Sequence, residues 1–389
     1  MNNETSAEAL ADIDRARAVI AKSRIRDYRV RMVSSGLGDM LTLACFESAL
    51  GDLLGLRFAG LSLPSSFSRP YYDDLVTRIG LRSMSSPTTG NTPELVLDGR
   101  HLTRSQLPLS VEIEHAIAAF PQAETLLISF PSPAAASGIH DHEQLHAPFF
   151  ESSFRRHMLD CGMNLFPPEA NRRSLTVHLR LGDVAAVRIG AFVVIPEFAK
   201  RNDHPAGVVS YAALDRNPFV KRTLNLIDDC ILSAKSIRQH FPDIQINLVS
   251  DGFDRTKQML LSSALRTKVE KKGLVFEDQK LDEAIDAAER RILYSGAFDA
   301  TVFGEASARE WFDSVRMLLN SKIVVSTARG FAANMLTFFA PDLVGRRFYS
   351  PLANGVYADL SAIGLEQRPF STFPAVLGDL LAHPDPLVI

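Results

Sequence analysis

The sequence predicts an α/β fold built from two consecutive doubly wound domains. Strand-like and helix-like stretches alternate through most of its 389 residues, and short polar turns containing glycine stand at the strand ends. The length itself exceeds what one hydrophobic core ordinarily serves, which suggests two domains, or one with large additions.

Taken in order, Ser6 to Lys22 has the spacing of an amphipathic helix. Asp27 to Ser34 alternates as a strand, Ser35-Gly36-Leu37-Gly38-Asp39 turns, and a helix starts near Met40. Residues 60–110 are rich in Ser, Pro and Gly and weakly periodic, so long loops are expected there. Thr125 to Phe130 is an apolar strand, and Pro167-Pro168-Glu169 marks a linker. Beyond it lies a strand at Leu175 to Val177. Helices are then expected at Thr223 to His240, Asp254 to Leu265, Asp282 to Leu293, Ala308 to Leu319 and Gly330 to Phe339. Strands are expected at Ile244 to Ser250, Leu274 to Glu277 and Lys322 to Ser326. The simplest assembly is two Rossmann-like domains facing a cleft. An N-terminal domain covers 1–168 and a C-terminal domain 169–365, with a tail, 366–389, returning to the first domain.

Composition bounds the function. Hydrophobic residues at 46% and charged residues at 22% describe an ordinary globular protein, and a net charge of −3 argues against a broad nucleic-acid-binding surface. Cys45, Cys161 and Cys230 are isolated, which indicates neither a disulfide frame nor a thiolate zinc site. The first twenty-five residues contain Glu4, Glu8, Asp12 and Asp14 and no apolar core, and no run of eighteen apolar residues follows, so a cytoplasmic location is expected.

Four strand ends hold candidate chemistry. The foremost is Leu175 to Asp183, L-T-V-H-L-R-L-G-D, where His178 and Arg180 alternate onto one face and Gly182 permits a bend. Polar groups closing an apolar strand are costly unless something binds there, and a guanidinium suits a phosphate. An Arg180–Asp183 ion pair closing the loop is the plainer reading. The second is the Gly36/Gly38 turn, where bare backbone can approach a ligand at a helix start, or simply turn tightly. The third is Ser250-Asp251-Gly252, whose carboxylate suits a sugar hydroxyl or base N–H, or caps the next helix from Asp251 or Asp254. The fourth is Ser326-Thr327-Ala328-Arg329-Gly330-Phe331, fit for a pyrophosphate or for capping.

These pieces occur in the order of a known family. The chain resembles the fucosyltransferase superfamily, which joins α-1,2-, α-1,6- and protein O-fucosyltransferases. Its G-G-L-G-N-type turn is matched by Ser35 to Asp39, its H-x-R-R-G-D by His178 to Asp183, and its S-D strand end by Ser250-Asp251. The C-terminal helix, strand and serine-rich turn are matched by Asp313 to Met317, Ile323 to Ser326 and Thr327 to Phe331. The likeness spans about Val30 to Ala340. It implies an inverting, metal-independent glycosyltransferase of the GT-B type, using no cofactor beyond its donor, GDP-fucose or another nucleotide sugar. It further implies a glycan or protein acceptor bound by the N-terminal half. Carried over residue by residue, Arg180 contacts the pyrophosphate and stabilises departing GDP. His178 and Asp183 shape the strand end and approach the donor, Asp251 contacts the nucleoside, and Ser326 and Thr327 the phosphates. Gly36, Gly38 and Asp39 meet the donor from the N-terminal domain.

The chain departs from the pattern at Leu181, where the family has a second arginine, with Arg329 or Arg188 as candidate replacements. Asp39 replaces asparagine, and Ala332-Ala333-Asn334 replaces the usual aromatics. Among candidate general bases (Glu197, His204, Asp183, Asp39), Glu197 is chosen for its place after the central motif, although a surface glutamate in a loop is the plainer reading of it. Two rivals stand beside this reading. One is a catalytically silent nucleotide-sugar-binding protein of the same fold. The other is a zinc metallohydrolase using His142-Glu143-x-x-His146, which needs a continuous helix between Gly138 and Pro148.

Overall fold

The computed structural model describes the chain except residues 1, 68, 86–91, 137, 140–141, 168–172, 183, 201–206, 272, 274–276, 305–306, 329, 342, 352–359 and 385–389, and the side chains of 2–6, 200, 263–264, 268–269 and 362. The chain divides into two compact units. Unit 1 comprises Met1–Pro168, Ala333–Val344 and Ala353–Leu365; unit 2 comprises Glu169–Ala332, Gly345–Leu352 and Glu366–Ile389.

Unit 1 is built on β1 (Asp27–Arg31), β2 (Arg57–Ser62), β3 (Glu94–Asp98), β4 (Leu102–Thr103) and β5 (Thr125–Ser129), in the order β2-β1-β5-β3-β4. All neighbours are parallel except β3 and β4. The described residues of 60–110 are mostly turn and loop, as expected, but carry more regular structure than their weak periodicity shows. They hold the end of β2, the helix Tyr72–Arg78, β3, β4 and the start of the helix Leu109–Ala119. Short strands flanked by Ser and Pro hide a two-residue period that their tertiary pairing reveals.

The helix Leu37–Leu53 is buried along nearly its whole length, including Glu47 and Ser48. Several of its polar groups are engaged internally, although Glu47 Oε2 is buried with no hydrogen-bond partner among the described residues. The Tyr28 hydroxyl lies 2.7 Å from Ser48 Oγ and donates to Asp52 at 2.8 Å, and Glu47 Oε1 accepts the Phe130 N–H at 2.7 Å. A Cβ on Gly51 would come within 2.6 Å of the Tyr28 ring, so glycine sets the helix-to-strand distance.

Unit 2 has β6 (Ser174–Leu179), β10 (Gln245–Ser250), β11 (Ala300–Phe303), β12 (Ile323–Ser326), β13 (Arg347–Ser350) and β14 (Glu366–Pro369). Their order is β11-β10-β6-β12-β13-β14, with every pair parallel. Numbered within the unit this is 3-2-1-4-5-6, the order of dinucleotide-binding sheets, and it reverses direction between β6 and β12. A separate antiparallel sheet, β7 (Val187–Ile189), β8 (Phe192–Val194) and β9 (Val208–Ser210), is inserted after β6 around Val193, Ile195, Val209, Leu214 and Val220.

The two faces of the central strands differ. Leu175, Val177 and Leu179 join Ile246 and Leu248 in a core with Ile227 and Ile231 of the helix Pro218–His240, Leu281 and Ile285 of the helix Asp278–Leu293, and Val376 and Leu380 of the helix Phe373–Ala382. The alternate positions, Ser174, Thr176, His178 and Asn247, are buried polar residues. Thr176 Oγ1 is 2.6 Å from Ser321 Oγ and donates to Met317 O of the helix Ala308–Leu319.

The tail from 366 belongs to unit 2, which corrects the expectation that it returns to the N-terminal domain. Arg347 on β13, 4% exposed, donates to Glu366 at 3.0 Å and to His383 O at 2.8 Å, while Tyr349 donates to Asp379 at 2.5 Å. It is 333–344 and 353–365 that fall in unit 1. The helix expected over Asp254 to Leu265 is two, Asp254–Leu261 and Ser263–Glu270, and most of the strand expected at Leu274 to Glu277 lies outside the described residues.

Candidate functional site

Sequence reasoning points to the carboxyl edge of β6, and the topology makes that edge the switch point of the unit 2 sheet. Ser326 pairs with His178 in the β6–β12 ladder. Just beyond it, the Thr327 N–H donates to His178 O at 3.0 Å, and Thr327 Oγ1 accepts the Arg180 N–H at 2.9 Å. Two strand ends adjacent in space but 148 residues apart are thus stapled where loops diverge to opposite faces.

The staple uses most of the polar atoms that the sequence offered to a ligand. Ser326 is fully buried; its hydroxyl donates to Ala328 O, accepts from Ala328 N, and meets His178 Nδ1 at 2.7 Å. Because the serine proton is directed at Ala328 O, the pattern assigns the imidazole proton to Nδ1, which leaves Nε2 as an acceptor. His178 is 3% exposed and its ring packs on Phe331 at 5.4 Å. Burial, aided by the nearby Arg180 charge, pulls its pKa down to about 3, so it is neutral at physiological pH. Among the described residues of this edge, Arg180 carries a fixed positive charge, and its side chain is half-buried.

Asp251 neither caps the following helix nor stands clear of the chain. Its Oδ1 accepts from Leu181 N at 2.6 Å and Gly182 N at 3.0 Å, and the helix after it is preceded by Phe253 without a side-chain cap. A Cβ on Gly182 would collide with that carboxylate and lie 3.0 Å from its Cγ. Gly182 is therefore required for close approach, not for the backbone bend expected of it: its φ is not among the positive ones. Thr256 also donates to Gly182 O. The turn 180–182 is thereby held from both sides, a preorganised backbone arc around Arg180.

Leu181 points inward. It is 2% exposed and part of the apolar core with Leu179 and Val187. A charge at that position would be buried without compensation, which gives the missing second arginine a physical cause.

The remaining candidates are spread over other elements. Asp183 and Arg329 lie outside the described residues, as does His204. Glu197 is half-buried in the first turn of the helix Pro196–Lys200, within the inserted three-stranded region. In unit 1, Gly36 precedes the helix Leu37–Leu53 with an ordinary φ of −62°, and Asp39 is exposed in its first turn. Gly38 lies inside that helix, and a Cβ there would collide with the Asn334 amide, so its bareness serves packing against that side chain. Asn334 stands where the compared family carries an aromatic residue.

The zinc-hydrolase geometry is not formed. His142 has φ −88° and ψ 80°, outside a helix; Glu143–Leu145 is a 3-10 turn, and the α-helix begins at His146. His142 Nε2 lies 3.1 Å from Gly99 O and its Nδ1 3.3 Å from Gln144 Nε2, so both ring nitrogens are engaged. Two histidines one helical turn apart on one face are what the metal chemistry requires, and a turn that changes pitch between them does not supply that.

No family model matches the chain, and no curated protein matches it. Among solved structures, the E. coli heptosyltransferase WaaC with ADP is similar over 91% of this chain and 99% of its own, at 13% identity and a TM-score of 0.36. The same enzyme with ADP-2-deoxy-2-fluoro heptose gives the same values. A mutant of Arabidopsis thaliana FUT1 in complex with GDP is similar over 85% of this chain and 73% of its own, at 10% identity and a TM-score of 0.28. Likenesses this distant assign no activity. No helix among the described residues is long and apolar enough to cross a membrane.

Proposed function

We propose that the chain is a glycosyltransferase of the GT-B type, binding a nucleotide-sugar donor at the β6–β12 edge of unit 2 and transferring the sugar, with inversion, to a glycan or protein hydroxyl. GDP-fucose is the donor favoured by the sequence pattern. The observation that carries the reading is the placement of Arg180 at the switch point of a 3-2-1-4-5-6 parallel sheet, the position at which such sheets take nucleotides.

In this reading the Arg180 guanidinium meets the diphosphate and stabilises the charge that develops on departing GDP, an effect commonly worth about 3–4 kcal/mol for a preorganised donor. The neutral imidazole of His178 makes no charge contribution and anchors the Ser326 turn that holds Arg180 in place. Ser326, Thr327 and Asp251 act chiefly as positioning residues, because their oxygens are engaged with backbone groups. Arg329 and Asp183 keep the role of completing the charge around the donor. Glu197 or Asp183 takes the acceptor proton. Metal-independent transfer follows from giving the leaving-group charge to arginine.

Thermal denaturation across GDP, UDP, ADP and CMP sugars, with chelator present, tests the proposal. A GDP-sugar is expected to raise Tm, as is GDP alone; absence of a shift with every nucleotide would overturn the reading. The silent-binding alternative is favoured by the internal engagement of Ser326 and Thr327. It predicts the same shift without release of free GDP when acceptor is supplied.

A further inference from the structure

A cavity lies on unit 2, away from the β6–β12 edge. It has a volume of about 340 Å3 and opens between the amino-terminal halves of β10 and β11 and the helix Ala308–Leu319. Ala300, Val302 and Met317 give it an aliphatic part, and the rest of its lining is polar: Gln245 and Asn247 from one face of β10, with Ser174, Asn320, Asp313 and Arg316. Asn247 precedes Asp251 by four residues, roughly 13 Å along a strand, so the two ends are separate places on one sheet.

Asn247 is 5% exposed, and its Oδ1 is buried with no hydrogen-bond partner among the described residues. Turning the amide over would put Nδ2 there instead, so a buried polar atom is left unpaired in either orientation. Such an atom costs free energy unless a ligand or water meets it. One water occupies about 30 Å3 of liquid, roughly a tenth of this volume. At the lining, Arg316 is paired with Asp313 at 3.3 Å, which holds the local charge near zero.

A primary amide presents a donor and an acceptor in one plane, matched by a planar heterocycle with the same pair reversed. The aliphatic part accepts a face of such a ring, and the neutral surroundings disfavour a phosphorylated form. We propose that this cavity is a second ligand site that takes an uncharged nucleobase or nucleoside, recognised by the Asn247 amide with Gln245 beside it. The proposal is independent of the glycosyltransferase reading.

Calorimetric titration with adenosine, guanosine, cytidine and uridine tests it on the full chain. At least one nucleoside should bind saturably. Asn247→Leu should weaken it at least tenfold while raising the unliganded Tm, because the substitution removes an unpaired buried group without removing volume. Arg180→Ala should leave the same affinity unchanged. Ala300→Phe, which fills the cavity and leaves the amide intact, should abolish binding and decides the matter if the Asn247 variant does not fold. No saturable binding by any of the four nucleosides, wild-type affinity in a folded Asn247→Leu or Ala300→Phe protein, or loss of binding in Arg180→Ala would each overturn the proposal.

Discussion

Glu47 and His178 pull the pH dependence of stability in opposite directions. Burial raises the Glu47 carboxyl well above its usual range, with Glu94 adding to the effect and the Phe130 N–H opposing it. The folded chain therefore keeps a proton that the unfolded chain gives up near pH 4.3, and stability falls as pH rises above that value. Burial lowers His178 to about 3, so the unfolded chain takes up a proton below about 6.5 that the folded chain refuses, and stability falls as pH drops through that window. Each group changes stability by about 1.4 kcal/mol per pH unit inside its window. Where both groups titrate, the two slopes oppose. Glu47→Gln should remove the Glu47 contribution, so the Tm of the variant should fall less than that of the wild type as pH rises from about 4.5; a slope equal to wild type would show that the carboxyl ionises without cost.

At the same scale, the run Leu175 to Gly182 was legible as a place where polar groups close an apolar strand, but not in the roles of those groups. Nothing in the order H-L-R-L-G-D tells that Leu181 turns into the core or that Asp251, seventy residues on, accepts the Leu181 and Gly182 N–H groups. Serine and threonine at a strand end read equally as ligands or as staples. The choice was made by the pairing of β6 with β12, which is a tertiary fact.

At the scale of elements, the two glycines that open the helix Leu37–Leu53 separate in function. Gly36 has an ordinary φ and its nearest obstacle to a Cβ is Asp39 Oδ2 at 3.6 Å, so Gly36→Ala should fold with an unchanged Tm. Gly38→Ala drives a methyl into the Asn334 side chain and should lower Tm by an amount corresponding to about 1–3 kcal/mol. Gly38→Ala combined with Asn334→Ala should recover part of that loss, which a thermal melt of the three variants measures. Equal effects of the two single substitutions would contradict the packing account. The helix itself was legible from its apolar length. Its start at Leu37 was not, because a turn containing two glycines looks alike whether the second ends the turn or already belongs to the helix.

Across the whole molecule, the alternation of strands and helices yields the fold class directly, and the break after Pro168 coincides with the start of unit 2. The return of 333–344 and 353–365 to unit 1 has no local signature, and neither does the parallel docking of β14 on β13, since both depend on partners far away in sequence. The tail makes a prediction of its own. Deleting 366–389 removes Phe373, Val376 and Leu380 from the core and strips Arg347 and Tyr349 of Glu366 and Asp379. Unit 2 should then lose its cooperative unfolding transition, while the transition of unit 1 persists in a thermal melt. A truncated chain with both transitions preserved would contradict the placement of the tail.

The central claim is that Arg180, at the carboxyl edge of β6, receives the diphosphate of a nucleotide sugar. Calorimetric titration of GDP into the wild-type chain and into Arg180→Ala, without divalent metal, tests it most directly. Saturable one-site binding by the wild type, weakened at least tenfold in a variant that melts as wild type does, is the predicted result. Absence of GDP binding by the wild type, or equal affinity in the two proteins, would contradict it.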